Sequence, residues 1–224
     1  MRTFIEGENQ RLADFKQTSP YFSTGVRVDG EYRGKPRPFC LPRAYARENL
    51  FPEIRDSAIT YFAAHEIKWH DGQDGNPSNH LRDGQVMCVN FLFPFAHRPA
   101  ALAELFRSGF PDIGRMLPME SADQFVAFEW IGQRNYLGEK VPRHGKRTRG
   151  ANFTSADASV MFERDDGRRQ IALIEWKYTE SYSSTWLKIA KSGTDRTAIY
   201  RHLFERVDFP LDKDVLPSFD ALFY

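Results

Sequence analysis

The chain has 224 residues and a formal net charge of +1, so no global charge excess demands a nucleic acid or a membrane as partner, and local charge placement must carry that argument. A hydrophobic fraction of 41% with 14% aromatic residues excludes a disordered chain. Two cysteines, Cys40 and Cys88, cannot build a disulfide framework, and the opening MRTFIEGENQ is too polar for a signal peptide, so a reducing cytoplasm is the expected setting.

In chain order, the first forty or so residues scatter Gly25, Gly30, Gly34, Pro36 and Pro38 among charges, which reads as loop with a short strand or hairpin. Residues 1–50 are therefore expected as an irregular N-terminal arm and 51–224 as one domain. Between Pro52 and Ile67 the apolar residues Ile54, Ala58, Ile59, Phe62 and Ala63 recur at helical spacing. The run from His70 to Asn79 is a loop by composition. Helices are predicted from Leu81 to about Phe93 and from Pro99 to Ser108, the latter closed by Gly109. Val86 to Ala96, the longest apolar stretch, is interrupted by Asn90 and Pro94 and too short to span a bilayer, so no membrane partner is expected. A turn-rich stretch from Gly109 to Ser121 leads to a strand over Gln124 to Ile131 that contains Glu129. Next comes the densest basic segment, with Lys140, Arg143, Lys146, Arg147 and Arg149. It reads either as a set of phosphate contacts or as a solvated loop. Ser184 to Arg206 suits one helix or two broken near Gly193. The apolar ending Ala221 to Tyr224 implies either a docked terminus or a chain cut short of its natural end.

The segment from Thr154 to Glu180 carries the chemistry. Gln170 to Tyr178 reads as a mostly buried strand, which places Glu175 and Lys177 on one face and Trp176 on the other. A three-residue loop Asp165-Asp166-Gly167 pairs Arg164 with Arg168, and counting outward sets Asp157 opposite Glu175. A two-residue Asp166-Gly167 turn would set Asp157 opposite Trp176 instead, on the wrong face. Carboxylates about 4 Å apart repel by roughly 4 kcal/mol at an effective dielectric near 20. A divalent cation neutralises them best, because two carboxylates plus substrate phosphate oxygens is how magnesium is usually held. A lysine beside such a metal can orient water or stabilise a phosphate in flight. The bland alternative is an ion pair between Glu175 and Lys177 on a solvated sheet face, joined by Asp157.

Asp157 on one strand followed by Glu175-Trp176-Lys177 on the next resembles the D…(D/E)xK signature of the PD-(D/E)xK nuclease superfamily, over a core from about Leu81 to Arg201. Ala156 stands where the family name has proline. The resemblance implies an α/β, restriction-endonuclease-like core with a central mixed β-sheet, formed by the hairpin and adjacent strands and flanked by α-helices. It also implies a Mg2+ or Mn2+ held by Asp157, Glu175 and the Trp176 backbone carbonyl, with Lys177 positioning water. The implied activity is DNA hydrolysis, with a role in restriction or phage defence. DNA is the expected partner and a homodimer is compatible with this reading. The alternative is a nucleic-acid-binding module on the same fold that has lost catalysis.

Gln85 stands near the helix where many members of the superfamily place a glutamate, and reads either as a contact to a metal-bound water or as an exposed helix-start residue. Glu129 and Glu139 are candidate extra acids, with an ion pair to Arg134 as the rival reading of Glu129. Arg196 and Tyr200 resemble in position the QxxxY element of RecB-like nucleases. His65-Glu66-Ile67-Lys68-Trp69-His70 approaches HExxH, but histidines five apart do not share one helical face, which weighs against zinc.

Overall fold

The computed structural model describes residues 3–141, 145–150 and 153–179, with isolated positions between 189 and 205. The chain divides into two compact units, one formed by Met1–Ile131 with Arg147–Thr179, the other by Gly132–Lys146 with Glu180–Tyr224. All elements described here belong to the first unit.

The N-terminal fifty residues hold more regular structure than an irregular arm. Helix α1 spans Phe4–Thr18 and opens on a capping box in which the Thr3 hydroxyl accepts from the Glu6 amide while Glu6 accepts from the Thr3 amide. Apolar periodicity missed it because only Leu12 and Lys16 are buried. Lys16 is fully buried and donates to the carbonyls of Val28 at 2.9 Å and Cys40 at 3.0 Å, which makes burial of the ammonium tolerable. The expected hairpin is present: β1 (Gly30–Tyr32) pairs with β2 (Lys35–Arg37). Its two-residue turn has φ of 50° at Arg33 and 72° at Gly34, the positive values that short hairpin turns require. Leu12, Phe22, Val26, Phe39, Leu41 and Leu81 form a small core beneath it.

Helix α2 (Arg55–Ala64) begins three residues after Pro52 and ends at His65. Helix α3 (Gly84–Leu92) is capped by Asp83, whose carboxylate accepts from the Val86 amide at 2.9 Å. Helix α4 spans Pro99–Arg107, with proline in its first turn. No single helix is long and apolar enough to cross a membrane among the described residues.

Strands β3 (Ile113–Leu117), β4 (Val126–Trp130), β5 (Ala156–Arg164) and β6 (Arg169–Ile174) form one sheet. β5 is central: β4 and β3 lie in succession along one of its edges and β6 along the other. Strand β3 falls in a stretch expected to be turns, because Gly114 sits at an irregularity between Ile113 and Arg115 and hides the alternation. Every described pairing is antiparallel, not mixed. A parallel partner needs a long crossover, and residues 180–224 lie almost wholly outside the described residues. One face of the sheet, with Val126, Phe128, Ala158, Val160 and Phe162, packs on Val86, Val89 and Leu92 of α3 and Leu102 of α4. β6 is not the mostly buried strand its composition suggests. Ala172 is buried, but Ile171 and Leu173 are 43% and 63% exposed, because β-branched and apolar residues report strand tendency without fixing burial of both faces.

Candidate active site

The hairpin loop decides the register. The Arg164 amide donates to the Arg168 carbonyl at 2.8 Å and the Gly167 amide to the Arg164 carbonyl at 2.9 Å, closing the three-residue loop with Gly167 at φ 80°. Pairing runs from Glu163 opposite Arg169 to Ala158 opposite Ile174, and one further step sets Asp157 across from Glu175. Ladder pairing stops there and a side chain takes over: the Trp176 amide donates to Asp157 Oδ2 at 2.6 Å. The Trp176 ring packs against the main core and lies 5.4 Å from the Phe91 ring. Glu175 and Lys177 meet on the open side at 2.5 Å, with side chains 58% and 49% exposed.

A third acid completes the cluster. On β4, Phe128 pairs with Ala158 and Trp130 with Ala156, so Glu129 stands opposite the stretch that contains Asp157. It is 8% exposed and has a φ of 49°, an uncommon backbone conformation for a glutamate. Its carboxylate is held at both ends, accepting from Gln85 Nε2 and from the Ser155 hydroxyl, each at 2.7 Å. Gln85 in turn donates to the Lys68 carbonyl and accepts from the His70 amide, so it bridges the start of α3, the preceding loop and β4. Glu129 is thus bonded to Gln85 and Ser155, not paired with Arg134. The register between β4 and β5 is the signal that would have joined it to Asp157.

The acids feel one another. Asp157 is pushed up to about 6, first by burial, with Glu175 and Glu129 adding to the rise while the Trp176 amide and Lys177 oppose it. Burial and the same three carboxylates raise the thiol of Cys88 on α3. No three His, Cys, Asp or Glu side chains converge as a ready metal-ligand set among the described residues. Asp157 and Glu175 form instead a two-carboxylate, all-oxygen donor set of the kind that suits a hard cation completed by substrate.

The basic segment splits. Arg149 is no phosphate contact: its side chain is 12% exposed, it pairs with Glu120 at 2.5 Å, and it donates to the Tyr61 hydroxyl and the carbonyls of Phe128 and Glu129. Those partners engage all three guanidinium nitrogens inside the fold. Arg147 donates to the Ile131 carbonyl at 2.7 Å. Lys140 and Lys146 are exposed, and Glu139, in the second unit, has its backbone tied to the Asn135 side chain. Arg143, Arg196 and Tyr200 lie outside the described residues. His65 and His70 face separate acids, Glu120 and Asp83, in keeping with the argument against a zinc motif.

By comparison with known families, the chain belongs to the family described as restriction endonuclease associating with ARP, whose model matches residues 9–219. No curated protein and no solved structure matches the chain.

Proposed function

We propose that the chain is a magnesium- or manganese-dependent DNA endonuclease acting in restriction or phage defence in the cytoplasm, with α3, β4, β5 and β6 as the heart of a PD-(D/E)xK core. The observation that carries this reading is the placement of Asp157 across from Glu175, with Lys177 beside them, where burial and then the charges of Glu175 and Glu129 raise Asp157. Asp157, Glu175 and the Trp176 carbonyl would hold the metal, which when bound supplies positive charge against the carboxylates and the scissile phosphate.

The residues divide the remaining tasks. Lys177 leaves its pairing with Glu175 to orient the attacking water and to stabilise charge on the phosphoryl oxygens. Water oxygen bonds to phosphorus and gives up a proton to solvent, while the bond to the leaving oxygen breaks and that oxygen takes up a proton from solvent. Glu129, fixed by Gln85 and Ser155, adds negative charge behind Asp157 and strengthens the cluster's demand for a cation. Gln85 acts through Glu129 and is a positioning residue.

The test is cleavage of plasmid and linear duplex DNA with and without Mg2+ or Mn2+. Metal-dependent cleavage that disappears in Lys177→Ala, with thermal unfolding unchanged, is expected. Cleavage that survives in this variant sinks the assignment. Salt-sensitive DNA binding without cleavage or metal uptake would make the chain a binding module on the same fold.

A further inference from the structure

The hairpin of β1 and β2 forms one wall of a groove of about 520 Å³. Arg33, Lys35, Arg37 and Arg82 line it and no acidic side chain does. None of these four cations is in an ion pair among the described residues, although the chain as a whole carries almost no net charge. The neighbouring cavity differs: there Arg33 and Arg43 share the lining with Glu31, Asp71 and Asp74. Of these two cavities, only the first is lined by positive charge without acids.

The groove has a fixed frame. The Arg33 guanidinium lies 5.1 Å over the Tyr32 ring and that of Arg82 lies 5.7 Å over Phe39, which orients both cations without neutralising them. Main-chain bonds from Gly30 to Cys40 and from Leu81 to Phe39 tie the hairpin to the segment that leads into α3. Two groups at the groove lack hydrogen-bond partners, Arg82 Nη1 as donor and Asn9 Oδ1 as acceptor.

The groove shares its supports with the acid cluster. Arg82 immediately precedes Asp83, the cap of α3, and Gln85 one residue beyond reaches Glu129. On the other side Asn9 adjoins Glu8, which together with Arg11 bonds the hydroxyl of Tyr178, the residue after Lys177. A polyanion lying in the groove therefore rests on α1 and the segment before α3, both of which are bonded to residues around the acids.

The geometry points to this groove as a track for the phosphate backbone of DNA, with Arg33, Lys35, Arg37 and Arg82 as its phosphate contacts. The choice of DNA as the polyanion rests on the nuclease reading; the groove and its charge do not. A pocket for a small anion is the competing occupant, but four cations spread along a hairpin and an adjoining loop suit successive phosphates better than one.

The test measures binding of a fluorescent DNA duplex by anisotropy, with divalent metal chelated, over a range of salt concentrations. It compares the full chain with Lys35→Glu/Arg37→Glu and with the milder Lys35→Gln/Arg37→Gln, both confirmed folded by circular dichroism and thermal unfolding. β2 is exposed along its whole length, so the substitutions disturb no core. The salt slope is expected to fall by about two and the affinity by roughly tenfold or more in the charge reversal, with a smaller loss in the glutamine pair. Wild-type affinity and slope in both variants overturn the groove, even in a protein that cleaves. Displacement of DNA by submillimolar inorganic phosphate or a nucleoside monophosphate overturns it in favour of a small-anion pocket. Groove-dependent binding by a protein that never cleaves supports the groove and overturns the nuclease reading alone.

Discussion

Arg149 and Glu120 meet at 2.5 Å with 12% and 14% of their side chains exposed, and Lys177 and Glu175 meet at the same distance with 49% and 58% exposed. The surroundings separate the two pairs. Around the first, the Tyr61 hydroxyl donates to Glu120 and accepts from Arg149, and the carbonyls of Phe128 and Glu129 on β4 accept from its Nε. That network fastens the basic segment to the back of the sheet. Around the second lie Asp157 and, behind it, Glu129, so Glu175 is drawn by a lysine on one side and repelled by acids on the other. An exposed pair can exchange partners at little cost, whereas a buried one cannot. Distance alone does not tell an anchoring pair from one set to accept a ligand.

Lys177→Ala should break this comparison most sharply if it is wrong. Loss of an exposed pair costs less than about 1 kcal/mol of stability, yet cleavage should fall by orders of magnitude, as expected when a charge acts only in the transition state. Matched urea unfolding curves with cleavage lost would support the contrast. A large loss of stability would show the pair to be structural. Arg149→Met should behave in the opposite way. Removing one partner of a buried pair leaves Glu120 uncompensated and should cost about 3 kcal/mol, lowering the unfolding midpoint well before any effect on DNA binding appears. If Arg149→Met were as stable as the parent but bound DNA more weakly, the guanidinium would be a phosphate contact after all.

The sequence made the hairpin legible because its loop has chemistry specific to one turn: Asp165-Asp166-Gly167 puts the glycine at the single position needing positive φ, and counting from it fixed Asp157 opposite Glu175. Other parts were hidden for physical reasons. Helix α1 buries a lysine where a periodicity reading looks for apolar residues, and its capping box is its clearer signal. Arg149 reads as one cation among five because composition cannot tell a solvated arginine from one whose guanidinium nitrogens all bond inside the fold. Glu129 was visible as an acid in a strand, but its place beside Asp157 depends on a long-range register between β4 and β5, and no local turn specifies that.

The smallest effect expected is also the most diagnostic of the acid cluster. Asp157 is raised to about 6 in the fold, against about 4 in an unfolded chain. The folded state therefore holds a proton more tightly, and the stability this gives is present below pH 4 and is lost as pH rises through about 6. Asp157→Asn removes this titration while leaving an oxygen to accept from the Trp176 amide. Since the group is only partly buried, the variant should gain about 1 kcal/mol over the parent at pH 7, and the two should converge near pH 4 in urea titrations. Magnesium should reverse the order at pH 7, because a cation binds the ionised carboxylate and stabilises only the parent. Equal stabilisation of both proteins by metal would place the cation elsewhere. A pH-independent difference would mean that neither burial nor the charges of Glu175 and Glu129 raise Asp157 in the fold.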